Sequence, residues 1–395
     1  MANNNDKKVL NVPDLRFPEF SGKWEKLKLS DFSAKIIKKN KGNTVTNVLC
    51  NSANLGLIPQ SNYFDREIAN AENTDGYYVI DNGDFVYNPR KSTAAPFGPV
   101  NIYEGKEAGI ISPLYLCFSV HNIFPKFLYY RFKSSVWHPY VYSHGDSGVR
   151  FDRVSIKDDV FFDMPLYKPT QDEQIKIATL LQIIDERITT QNKIIEDLKK
   201  LKSAIIDKLY SSTNGEIYSF RQLFEVVNEK NKARAYKNVL SASQELGMIE
   251  RSDINIDIKF EQESISGYKI VNKGDYVVHL RSFQGGFAFS DRTGICSPAY
   301  IILRPNDLVV YGYLSHFFTS KSFIKSLKLV TYGIRDGRSI NVDEWLDMPI
   351  LLPPAQEQIR ILTILNAIDA KLHNEVKVQF CLSRQKSYLL NTMFI

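Results

Sequence analysis

Apolar residues recur at Ile177, Leu181, Ile184, Ile188, Ile195, Leu198, Ile205 and Leu209, a four-three alternation broken by Gln191 and Lys202. Adding 184 to each position lands on Ile361, Leu365, Ile368, Leu372, Gln379, Leu382, Leu389 and Met393, with polar breaks at Glu375 and Lys386 and an extra one at Gln379. Neither stretch contains Gly or Pro. Prolines stand just before them (Pro169; Pro353 and Pro354), and acids follow in the first turn (Asp172 and Glu173; Glu357). Proline is tolerated there, and the acids complement the helix dipole. The pattern predicts two long helices, over about 170–210 and 354–394, each with an apolar seam suited to packing on the other.

The segments before these helices have a different rhythm. GDFV from Gly83 and GDYV from Gly274 read as Gly-Asp turns leading into β-branched and aromatic strands. KFLYYRFKS (126–134) and YLSHFFTSKSFIKSL (313–327) have helical spacing, with aromatics and cations on different faces. Short matches hold one register across both segments: NVL at Asn47 and Asn238, GDFV and GDYV, and Arg90 and Arg281, all at offset 191. GIISP and GICSP, then GVR and GIR, follow at offset 185, and DMP at 184. The chain is a tandem duplication with small loop deletions.

The expected fold is α+β: two tandem-duplicated α/β domains, 1–168 and 213–352, with spacer helices at 169–212 and 353–395. Only five residues, Ser211 to Gly215, separate the first helix from the second globule. The second helix must therefore run back along the first, which predicts an antiparallel pair and a pseudo-two-fold. At about 1.5 Å per residue, about 40 residues span roughly 60 Å.

Composition adds limits. With 395 residues, 44% hydrophobic and 24% charged, the chain reads as an ordinary globular protein. It has no apolar run long enough to span a membrane and no signal peptide, so a cytoplasmic location is expected. Four cysteines (Cys50, Cys117, Cys296, Cys381) lack metal-site spacing. The net charge of +6 permits a polyanionic partner. No Walker A loop and no NPPY-like tetrapeptide occurs. A loose Asp84…Glu104-x-Lys106 pattern resembles a metal-dependent nuclease site, but the repeated Gly274-Asp275 has no Glu-x-Lys after it, so the shared Asp reads as a turn residue.

The doubled pattern P-x-x-x-EQ-x-x-I-x-x-x-L-x-x-(I/L)-D, each copy preceded by a globule of its own sequence, resembles the specificity subunit of Type I restriction-modification systems. The opening FPEFSGKWEKLKLSDF is similar to the start of such subunits. The resemblance implies two target recognition domains, each reading one half of a bipartite, asymmetric site in double-stranded DNA. It implies helices that set the unread spacer and dock two modification subunits, with restriction subunits joining them. S-adenosylmethionine, ATP and Mg would sit on those partners, with no cofactor and no catalysis in this chain. A methylation-only or phage-defence system, or a protein-binding adaptor on a coiled-coil rod, remain as alternatives.

Candidate DNA contacts follow from residue chemistry. The paired G-x-R loops end at Arg150 and Arg335, with Arg153, Arg338 and Ser339 close by. Arg90 and Lys91 follow the first GD turn; Arg281, Ser282 and Gln284 follow the second. Glycine permits close approach, and Arg or Gln reads base edges. Each of these arginines is equally open to a structural role. Two cation rows, Lys126, Arg131, Lys133 and Lys321, Lys325, Lys328, either grip phosphate or face solvent. Tyr332 either stacks or packs. Gln174 and Gln358, in the repeated EQ pairs, either cap the helices or touch the modification subunits.

Overall fold

The computed structural model describes residues 11–62, 74–145, 152–243, 246–251, 262–279, 286–332 and 339–395. The chain forms two compact units: Met1–Gln191 with Val378–Ile395, and Asn192–Lys377. The two long helices, Gln171–Ser211 and Ala355–Thr392, contribute to both.

The first unit is built on a four-stranded antiparallel sheet ordered Ser33–Lys35, Leu116–Val120, Phe85–Tyr87, Val100–Ile102. The second repeats that order with Phe224–Val227, Ile301–Pro305, Tyr276–Val278 and Phe287–Phe289. The ribbons around the sheets also recur, among them Glu25–Lys28 with Pro165–Lys168 and Glu216–Ser219 with Pro349–Leu352. Gly83 (φ 93°) and Gly274 (φ 101°) hold the left-handed backbone that the GD turns need. The carboxylates beside them accept the backbone N–H of Asp81 and of Asn272, at 2.7 and 2.8 Å. The shared Asp is therefore a turn residue.

The aromatic segments supply the cores. Tyr87 stacks on Phe161 with ring centroids 4.6 Å apart, and Phe220 stacks on Trp345 at 4.4 Å. Such pairs contribute about 0.5–1.5 kcal/mol beyond burial. Pro125–Lys133 is helical, as its spacing predicts. The segment 313–327 is not one helix: Tyr313–Phe317 stops, and Lys321–Ser326 starts afresh where the Ser320 hydroxyl accepts the Phe323 N–H at 3.2 Å.

Every predicted seam position on both helices is buried or half-buried. In the first unit Ile177, Leu181 and Ile184 share a core with Leu389, Leu390 and Met393. In the second unit Ile206 shares one with Ile361 and Leu365. Within each unit early positions of one helix meet late positions of the other, so the pair is antiparallel. Among the described residues no helix is long and apolar enough to cross a membrane.

Candidate nucleic-acid interface

In the first unit the loop after the sheet strand Phe85–Tyr87 is held at both ends. The Asn88 N–H donates to the Pro99 carbonyl at 3.0 Å. Gly98 closes the loop at φ 83°, where a Cβ would lie 2.1 Å from the Asn88 oxygen, so no other residue fits. A second segment lies alongside: Lys91 N–H donates to the Asp152 carbonyl and Val154 N–H to the Pro89 carbonyl, both at 2.8 Å. These bonds bring Arg90, Lys91 and Arg153 to one place. Arg90 and Lys91 are exposed, and Arg90 Nε lies 3.8 Å from an Asp152 carboxylate oxygen. Arg153 is half-buried, and its Nε has no acceptor.

In the second unit Lys321, Lys325 and Lys328 are exposed, and none joins an ion pair among the described residues. Tyr332 is 56% exposed rather than packed in the core, and its hydroxyl donates to Glu344 at 2.7 Å. Ser339 pairs with it across a two-residue ladder. Arg150, Arg281, Ser282, Gln284, Arg335 and Arg338 lie outside the described residues.

The first cation row does not form an exposed face. Arg131 is 3% exposed, donates to the Pro165 carbonyl at 2.7 Å, and has its pKa pushed down to about 10 by burial. It cannot reach a phosphate. Lys133 turns inward to the Asn101 side-chain oxygen at 2.5 Å, and desolvation with Lys386 nearby lowers its pKa to about 8. Lys126 is bound to Glu104 at 2.6 Å. The helix Pro125–Lys133 buries Phe127, Leu128, Tyr130, Arg131 and Phe132, so its wheel leaves little solvent face.

Gln174 and Gln358 are also corrected. Both are buried, at 0% and 1% exposure, and neither is free to meet a partner. Gln174 accepts the Phe124 N–H and donates to the Pro169 carbonyl, at 2.8 and 2.9 Å. Gln358 accepts the Val310 N–H and donates to the Leu308 and Pro353 carbonyls, all at 2.9 Å. Each amide ties the first turn of a long helix to the backbone of its own unit.

Contacts around three acids, Glu173, Asp185 and Asp369, were not anticipated from the sequence. Glu173, fully buried, accepts from Arg16 Nε and Nη2 at 2.7 Å each and from the Trp24 indole at 3.3 Å. Among the described residues its repeat mate Glu357 pairs only locally, with Arg360. The lysines that break the seams each meet the aspartate of the repeated motif: Lys386 with Asp185 at 2.5 Å, and Lys202 with Asp369. Tyr130 donates to Asp185 at 3.0 Å, and His316 Nε2 lies 3.7 Å from Asp369. The signal was present as the doubled Asp of the motif and the doubled Lys of the seam.

Residues 215–379 match the family model described as Type I restriction modification DNA specificity domain. A protein of Methanocaldococcus jannaschii, the putative type I restriction enzyme MjaX specificity subunit, is 24% identical over 328 residues, 75% of this chain and 74% of its own length. The S subunit of a Type I restriction-modification system from M. genitalium superposes with TM-score 0.54 at 14% identity, over 97% of this chain and 99% of its own. A chain from a type I R-M system solved for its complex assembly and conformational transition gives 0.59 at 13% identity, over 93% and 96%. Residues 215–379 thus resemble a Type I restriction-modification DNA specificity domain, and the whole chain has the fold of the specificity subunits solved from such systems.

Proposed function

We propose that this chain supplies the sequence specificity of a Type I restriction-modification complex. Each unit reads one half of a bipartite, asymmetric site in double-stranded DNA. The long helices set the unread spacer and dock two modification subunits, to which restriction subunits attach. The chain performs no chemistry. Adenine-N6 methylation and ATP-dependent cleavage belong to the partners, which bring S-adenosylmethionine, ATP and Mg. The complex acts in the cytoplasm, where the DNA is.

The observation that carries this reading is one frame bearing two different sets of side chains. The sequence after the third strand of each sheet reads Arg-Lys-Ser-Thr from Arg90 and Arg-Ser-Phe-Gln from Arg281. Base readout depends on individual side chains, so equal frames with unequal side chains fit two different DNA words.

Methylome sequencing of a host carrying the intact system tests the reading. The expected result is one methylated motif made of two words with a fixed gap. Deleting four residues, about one helical turn, next to Gln191 is expected to change the gap and keep both words. Changed words would overturn the spacer role, and the absence of any two-part motif would overturn the function.

A further inference from the structure

Among the described residues two arginines have a buried Nε without an acceptor, Arg131 and Arg153. Arg131 uses its other nitrogens on the Pro165 carbonyl at 2.7 Å and the Met164 sulfur at 3.8 Å. Other partly buried arginines have a carboxylate: Arg16 has Glu173 and Arg304 has Asp275. The Arg153 side chain makes no hydrogen bond and no ion pair among the described residues. It borders a cavity of about 440 Å³ walled by Tyr78, Tyr87 and Tyr115. The carboxylate lining that cavity, Asp158, is 2.6 Å from Lys35 and is thereby occupied.

A buried donor without a partner is costly, and native structures rarely keep one unless it serves a purpose. Sites built to hydrogen-bond a ligand leave their polar groups unpaired until the ligand arrives. We propose that Arg153 is a specificity-determining residue of the first unit and that its guanidinium fork takes the O6/N7 edge of a guanine. This rests on the DNA-reading function proposed above and names what one residue reads.

The backbone argues for a base edge over a phosphate. Arg153 is bridged to Arg90, and its neighbours are tied to Lys91 and Pro89 by two hydrogen bonds, so its origin is fixed. A half-buried fork on a fixed stretch of backbone suits directional, bidentate recognition. Lys321, Lys325 and Lys328, exposed on flexible stems, have the opposite character and suit phosphate.

The test is selection of bound duplexes from a random pool by the purified full chain, its R153A variant and its R153K variant. Wild type is expected to select two words. Both variants are expected to lose preference at one G·C pair of one word by about tenfold or more, with the other word and the salt dependence unchanged. R153K keeps the charge and the packing stem, so it carries the test if R153A melts early. Three results would overturn the inference: both words intact in both variants, equal weakening on all duplexes with a shallower salt slope, or full recovery by R153K. If wild type selects no word, the DNA-reading function itself fails, a result distinct from an unchanged variant.

Discussion

At Asp84 and Asp275 the same turn carries the same acid in two settings. Asp275 is 2% exposed and meets Arg304 through two hydrogen bonds of 3.0 Å. Asp84 has no such arginine among the described residues, and burial pushes its carboxyl from 3.8 up to about 6. The folded state therefore holds that proton more tightly than the unfolded chain. The stability this gives is complete below about pH 4 and is lost as pH rises through about 6. Asp84→Asn keeps an acceptor for the Asp81 N–H and has no charge to bury. It is expected to raise the melting temperature of the first unit at pH 7.5 and to flatten its fall between pH 4 and 6. Asp275→Asn leaves Arg304 without its carboxylate and is expected to cost about 1–3 kcal/mol. Denaturation from pH 4 to 8, read by hydrogen exchange in each unit, checks both signs. The turn itself was legible, because a repeated Gly-Asp before a strand has one common use. The direction faced by Arg131, Gln174 and Gln358 was not. Periodicity places a side chain on a face without saying what covers that face, and an amide bonds equally well to a partner or to its own backbone.

Along the two long helices, the four-three alternation predicted which positions face inward, and the packing follows it throughout. The lysine breaks were visible as doubled exceptions, but their partners were not. A seam gives the face of each helix, while Lys202 meeting Asp369 requires the antiparallel register as well. These pairs are partly shielded, with side-chain exposures of 23% and 40% for Lys202 and Asp369. They are thus worth more than most exposed ion pairs. Lys202→Glu sets like charges together and is expected to destabilise the second unit by about 1 kcal/mol or more, and the exchange K202D with D369K to recover most of that loss. A double-mutant cycle by urea unfolding measures it. Simple additivity of the two single changes would show that the pair contributes nothing.

Across the whole molecule, the duplication holds in the order of the main sheets and breaks in detail. The two sheets share one strand order, and both EQ glutamines tie the first turn of a long helix to nearby backbone, yet Glu173 is buried against Arg16 and Trp24 while Glu357 is not. The repeated register exposed the first fact because short matches keep their offset. The second was hidden because Arg16 and Trp24 precede the repeated part. The Leu15 N–H also donates to the Thr392 carbonyl at 2.9 Å, and Leu389, Leu390, Met393 and Phe394 lie in the core of the first unit. The second unit draws only on residues 192–377. On a ribosome, then, the unit encoded later closes earlier, and the one that emerges first waits with an open core for the last helical turns to be made. A chain stopped after Lys377 is expected to protect the amides of the second unit almost as the full chain does and to leave those of the first exchanging freely. Equal protection of both units in that shortened chain would refute this order of assembly.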